Sequence, residues 1–149
     1  MENLPSFQLR EASLSELLWL HERIVEFPGN ASFTFYEDRL RHRVSLALVA
    51  LWDGELAGFK VGYQSELPEQ FYSWMGRVRL EFRRKGIAIA LAEEQERWAK
   101  EAGFRAVFFN TRNRFPGMIQ FGIKRGFKVV DLLPKGAEED YRIVMRKKL

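Results

Sequence analysis

Val78-Arg79-Leu80-Glu81-Phe82-Arg83-Arg84-Lys85-Gly86-Ile87-Ala88 joins two kinds of pattern. The alternating apolar run from Phe71 to Leu80 leads in and reads as a strand. From Gly86 onward the spacing becomes helical, with Ile87, Leu91, Trp98 and Ala102 on one face. Between them Arg83, Arg84, Lys85 and Gly86 form a short basic loop. A loop that opens a helix points free backbone N–H groups outward, and the helix dipole adds partial positive charge there. Phosphate is the usual occupant of such a site. Gly86 lacks a Cβ and permits close approach, and the three cations add attraction. The plain alternative is a solvated basic turn. Gly86 is followed by Ile87, so the Gly-Lys-Ser/Thr of a Walker loop is absent, as is Gly-x-Gly-x-x-Gly.

Outward from this loop the chain reads as alternating strands and helices. Phe7 to Arg10 is a short strand, and Ser13 with Glu16 makes a capping box. Leu14, Leu17, Leu18, His21 and Ile24 predict a helix to about Phe27, closed by Pro28-Gly29. His21 lies on that stripe and is expected to be packed. Asn30 to Thr34 suits a loop, and Phe35 to Arg43 a second helix whose Arg39, Arg41 and Arg43 form a solvated face. Ser45–Trp52, Asp53-Gly54 and Glu55–Tyr63 predict a hairpin, because both turn positions favour positive φ. Gly58, Gly62 and Gly76 suggest bulges or close backbone approach in their strands. The long helix carries Glu93/Arg97 and Glu96/Lys100 pairs and closes at Gly103. Arg105 to Thr111 is a buried strand, so a right-handed crossover and parallel pairing with the preceding strand are expected. Pro116 opens another helix, Gly126 ends it, and Phe127–Leu133 and Tyr141–Met145 are the last two strands.

The bulk numbers narrow the classes. The chain has 149 residues, 46% hydrophobic and 30% charged, which suits one globular domain over 1–149. It has no cysteine, which excludes disulfides and a thiol nucleophile and fits a cytoplasmic protein. With His21 and His42 the only imidazoles, no metal site is expected. Met1 to Pro5 lacks a signal-peptide pattern, and the most apolar run, Val44 to Trp52, is too short to span a bilayer, so no membrane role is expected. A net charge of +4 suits a polyanionic cofactor and also allows nucleic acid.

The run Arg83-x-x-Gly86-x-Ala88, preceded by Val78-x-Leu80, resembles the signature of the GCN5-related N-acetyltransferase (GNAT) family, which is Arg or Gln, two residues, Gly, one residue, then Gly or Ala. Val107 to Phe127 is similar to the family's second cofactor segment, with Asn113, Lys124, Gly126 and Phe127 matching. Together the two segments cover most of residues 71 to 130. The resemblance implies an α/β fold: a mixed, mostly antiparallel sheet of about six to seven strands, helices on both faces, and a splayed parallel pair at the cofactor slot. It implies acetyl-CoA as co-substrate. Val78 and Leu80 would make strand-like contacts to the pantetheine arm, and Arg83, Arg84, Lys85, Gly86, Ile87 and Ala88 would line the pyrophosphate, with Asn113 in the second segment. Glu26, Phe33, Phe35, Tyr36 and Glu37, between the first two helices, would contact the acceptor.

The chain departs from the family at two points. Where members often carry a general-acid Tyr, four residues before the Gly of Gly-Phe, it has Gly122, and Leu80 replaces a proline near the strand end. A thiol of pKa about 8.5 leaves without obligatory protonation, so that loss should cost rate only. An alkylamine of pKa about 10.4 must instead be deprotonated to attack. Glu66 and Glu69 are the candidate carboxylates for this, Glu81 less so because it flanks the loop; plain surface charge is the competing reading. The oxyanion would sit on a strand N–H near Leu80. The reading is therefore an N-acetyltransferase acting on a small-molecule or peptide amine by direct ternary-complex attack. The alternatives are a catalytically silent acyl-CoA-binding module and a basic nucleic-acid-binding domain. The second rests on Arg77, Arg79, Arg83 and Arg84 and is disfavoured because no nucleic-acid motif accompanies them. A homodimer through exposed strands or helices is left open.

Overall fold

Ser13 starts the first helix as its sequence implies. In a computed structural model describing residues 6–24 and 32–149, the Ser13 side chain accepts from Glu16 N–H and the Glu16 carboxylate accepts from Ser13 N–H. The elements that arise from such local signals are β1 (Phe7–Glu11), α1 (Leu14–Arg23), α2 (Phe33–Leu40), β2 (Ser45–Trp52), β3 (Glu55–Gln64), β4 (Gln70–Val78), α3 (Ile87–Glu101), β5 (Ala106–Arg112), α4 (Pro116–Lys124), β6 (Lys128–Leu133) and β7 (Arg142–Lys148). Short 3₁₀ turns lie at Leu80–Phe82 and Glu138–Asp140. Among the described residues the sheet has seven strands in the order β1-β2-β3-β4-β5-β7-β6. β1/β2, β2/β3, β5/β7 and β6/β7 are antiparallel. The expected parallel pair is β4/β5. Its register covers Gln70↔Ala106 to Tyr72↔Phe108, while the strands run on to Val78 and Arg112.

The chain forms two compact units, Met1–Tyr63 with Met75–Arg97, and Gln64–Trp74 with Trp98–Leu149. In the first, Leu17, Leu20, Tyr36, Val49, Phe59 and Val61 are fully buried. The Asp53-Gly54 turn takes φ of 50° and 80°, the left-handed pair that lets a two-residue hairpin follow the strand twist. Gly58 and Gly76 mark close approach between β3 and β4. A Cβ at Gly58 would lie 2.9 Å from Arg77 O, and one at Gly76 would lie 2.9 Å from Phe59 O. In the second unit Phe71 packs edge-on against Trp98 and Phe104, and Phe109 against Phe127.

Several boundaries differ from the sequence expectation; β7, for one, runs Arg142–Lys148 and so continues past Met145. α1 stops at Arg23 because Ile24 turns extended (φ −101°, ψ 113°) and is buried; Pro28-Gly29 lies outside the described residues. α2 begins at Phe33, since Ser32 caps it by accepting from Phe35 N–H, and ends before His42, which takes φ 59°. β4 ends at Val78, and Leu80 belongs to a 3₁₀ turn. The buried face of α3 is Ile87, Leu91, Ala92, Gln95, Glu96 and Ala99, whereas Ala102 lies beyond the helix and is exposed.

Candidate functional site: an anion loop and its supports

The basic loop is held at its entry by one arginine. Arg79 N–H donates to Ala57 O at 2.8 Å, tying the end of β4 to β3. Its guanidinium donates to Leu56 O at 2.9 Å, pairs with Glu81 at 2.6 Å, and lies over the rings of Trp19 (4.9 Å) and Phe82 (5.3 Å). The chain then makes its 3₁₀ turn, with Phe82 N–H donating to Arg79 O at 2.9 Å. Phe82 points inward and is buried, which turns Leu80 out to 70% exposure.

Beyond this turn the backbone forms a cradle. Arg83 has φ −73°, Arg84 +63° and Gly86 +79°. Arg83 is extended (ψ 161°), and the positive φ at Arg84 and Gly86 then turns the chain sharply into the helix, the kind of turn whose N–H groups can face an anion. Ala90 N–H makes the first helical bond, to Gly86 O at 3.1 Å, so the N–H groups of Ile87, Ala88 and Ile89 precede it at the positive end of α3. A Cβ at Gly86 would meet nothing within 4 Å, so the space above the loop is open. Ala88 is exposed, whereas the Ile87 side chain is in the core and only its backbone can face a ligand.

The three cations divide their roles. Arg83 turns back, its Nε donating to Val78 O at 2.9 Å. Lys85 Nζ lies 5.0 Å from the Trp52 ring centre. Arg84 is exposed. Of the three cations, Arg83 is thus engaged with the protein's own backbone, and Lys85 lies over an aromatic ring.

The second segment is built separately. Asn113 Nδ2 donates to Glu138 O at 2.9 Å, and Arg114 N–H to Glu139 O at 2.8 Å, fixing the β5–α4 connection on the 3₁₀ turn Glu138–Asp140. Pro116 is the first residue of α4. The helix ends with Phe127 N–H on Gly122 O (2.9 Å) and Gly126 N–H on Ile123 O (3.1 Å), with Gly126 at φ +90°. This is a Schellman closure, which the Lys-x-Gly-Phe run encodes. Gly122 is buried, and a Cβ there would lie 2.9 Å from both Met145 Cε and Phe109 Cζ. The place a tyrosine would need is filled by those two side chains.

The remaining candidates fall as follows. Glu66 and Glu69 stand exposed on the turn before Gln70, at the start of β4, whereas the anion loop comes after its last residue. Phe33 and Phe35 are 49% and 40% exposed on α2 and could meet an acceptor. Tyr36, expected among the contacts, is instead fully buried; its hydroxyl is 2.8 Å from His21 Nδ1 and donates to Met75 Sδ at 3.7 Å. Burial pushes the Tyr36 phenol up to about 12 and the His21 imidazole down, so this pair is neutral near pH 7. Glu26 lies outside the described residues. Among the described residues no cluster of His, Cys, Asp or Glu could hold a metal, and no helix is long and apolar enough to cross a membrane.

Among the described residues, a mixed sheet with a short parallel pair, and a basic loop opening the helix that follows β4, define an α/β protein. The chain belongs to the acetyltransferase (GNAT) family, whose profile matches residues 11–127. The ribosomal-protein-S18-alanine N-acetyltransferase from Escherichia coli is similar in structure, with a TM-score of 0.80 at 16% identity over 96% of this chain and 94% of that one. PaiA N-acetyltransferase from Thermoplasma acidophilum, solved in complex with coenzyme A, gives 0.73 at 21% over 97% and 99%. Arabidopsis thaliana NAA60 in complex with a bisubstrate analogue gives 0.74 at 18% over 97% and 99%. These likenesses establish the fold. A comparison with curated proteins finds no match.

Proposed function

We propose that this protein moves an acetyl group from acetyl-CoA to a primary amine of a small molecule or peptide. The observation that carries the reading is the positive φ of Arg84 and Gly86 in a basic loop at the start of α3. The pyrophosphate would sit on the N–H groups of Arg84 to Ala88. Val78 O already accepts from Arg83 and Leu80 has left the strand, so the pantetheine arm would take its strand-like contacts from β4 residues ending at Val78. The amine nitrogen attacks the thioester carbon, the C–S bond breaks, and the coenzyme A thiolate departs. With Gly122 where a phenol would stand, that thiolate takes its proton from solvent. The amine loses its proton to water, with Glu66 or Glu69 as the carboxylates proposed to relay it.

The packing of Phe109 and Met145 against Gly122 favours a second reading, a silent acyl-CoA-binding module of the same fold. A thiol-release assay over a panel of amines separates the two. Release above the hydrolysis background with any amine supports the transferase. Tight acetyl-CoA binding without release for any amine supports the module.

A further inference from the structure

We propose that one face of the β5–β7–β6 sheet binds an acidic peptide segment. The strand register is what brings the relevant residues together. Directly opposed residues of an antiparallel pair share a face, with Cβ atoms about 5 Å apart. β7 lies between β5 and β6, so its residues from Arg142 to Arg146 each set a row across three strands. Arg112, Arg142 and Leu133 form one row. Asn110, Val144 and Asp131 form the next, and Phe108, Arg146 and Lys128 the third. On the opposite face Phe109, Ile143 and Met145 are buried, and Met145 and Phe109 pack where α4 places Gly122. On the basic face Arg112, Arg142 and Lys128 are exposed and Arg146 is half-buried.

Two pairs of like charges therefore sit side by side, Arg112 with Arg142 and Arg146 with Lys128. Such pairs cost stability. Asp140 offsets part of the first, lying 3.9 Å from Arg112 while bonding Arg114 at 2.9 Å. Arg142, Arg146 and Lys128 have no salt-bridge partner among the described residues. Next to the third row, Tyr72 stacks on Phe108 with ring centres 5.0 Å apart, an apolar shelf beside Arg146. A face that keeps repelling cations around an aromatic shelf is complementary to an anionic partner.

The middle row selects among anions. Arg142 and Arg146 are four residues apart on one strand, about 13 Å. Asp131 stands between their rows and repels a third negative charge. Two anions about 13 Å apart, with a neutral or cationic group between, match an extended peptide carrying carboxylates four residues apart. A nucleic-acid strand carries an anion at every nucleotide and would set one against Asp131. Docking of this kind does not depend on acyl transfer.

The test is fluorescence anisotropy of a labelled peptide with glutamates four residues apart. The same peptide with glutamines and a single-stranded RNA of equal charge serve as comparisons. Wild-type protein should bind the glutamate peptide and neither comparison. The double variant Arg142→Glu, Arg146→Glu should lose that binding at least tenfold. It should also melt at a higher temperature than wild type, because each new carboxylate faces Arg112 or Lys128. That opposition separates a docking face from a merely structural one. Arg146→Gln, which relieves one like-charge pair without creating an attraction, should weaken binding with a smaller gain in stability than the double variant. Absence of peptide binding, equal or tighter binding of RNA, or binding undiminished in the double variant would each overturn the proposal. Acetyl-CoA affinity, measured in parallel, reports separately on the proposed activity.

Discussion

Arg83 offers the sharpest test of how the anion loop works. Its Nε–H donates to Val78 O at 2.9 Å, across the 3₁₀ turn, so it closes the loop on the strand that feeds it. A hydrogen bond from a charged donor is worth about 1.5–3 kcal/mol, and half-burial at Arg83 reduces that to about 1–2 kcal/mol. If the bond holds the cradle in its binding shape, removing it lowers the population of that shape. Apparent acetyl-CoA affinity then falls by about five- to thirtyfold. Arg83→Met should show the full loss. Arg83→Gln keeps an N–H donor but no charge and should stay within about threefold of wild type. Arg83→Lys keeps the charge without the planar donor and should fall below Gln. A positioning bond of this kind also accounts for a family pattern that admits Arg or Gln here. Calorimetric titration with acetyl-CoA at two salt concentrations is the assay. A ranking of Lys near wild type with Gln as weak as Met would mean that the charge acts on phosphate, and would refute the positioning role.

Single observations elsewhere in the fold set further expected outcomes. Gly86→Ala forces a side chain onto φ +79° at a strain of about 1–3 kcal/mol, although its Cβ meets no protein atom. Gly86→Val adds bulk over the cradle, so melting should drop modestly in both variants while acetyl-CoA binding falls further in Val than in Ala. Gly122→Tyr inserts a ring into the space of Phe109 and Met145 and should cost about 1–3 kcal/mol in denaturant unfolding without raising the rate of thiol release. The Arg10 guanidinium bonds Glu16 and, with Ser13, lowers its carboxyl to about 2. A depressed folded value means stability that is present above the unfolded pKa and lost as pH falls from about 4.5 to about 2. The pair is partly exposed, so Glu16→Gln should cost under about 1 kcal/mol at neutral pH and nothing at the acid end, read from melts across that range.

Much of the fold was legible because its signals are local. The Ser13/Glu16 box, the Asp53-Gly54 turn, Pro116 at a helix start and the Gly126-Phe127 closure each need only a few neighbouring residues, and each forms as read. The anion loop was legible as a basic turn before a helix. Its backbone shape was not, because nothing local announces that Arg84, a residue with a Cβ, takes φ +63°. Leu80 continues an alternating pattern, so its sequence predicts strand. Its departure is set by distant partners, the burial of Phe82 and the anchoring of Arg79 to Leu56, Ala57 and Trp19. The Ser32 cap of α2 is hard to place because Asn30, Ser32 and Thr34 all offer caps, and the end of α1 because Ile24 continues the apolar stripe of the helix. The basic face was invisible for another reason. Arg112 and Arg142 are neighbours only through strand register, which sequence spacing does not carry.

The central claim is that the cradle between Arg83 and Ala88 holds the pyrophosphate of acetyl-CoA. Calorimetric titration of the wild-type protein with acetyl-CoA, with ATP as the control polyanion, tests it most directly. Saturable one-to-one binding of acetyl-CoA is expected, with ATP at least about tenfold weaker. Equal affinity for the two would reduce the loop to a general polyanion site, and no binding of either would contradict the claim.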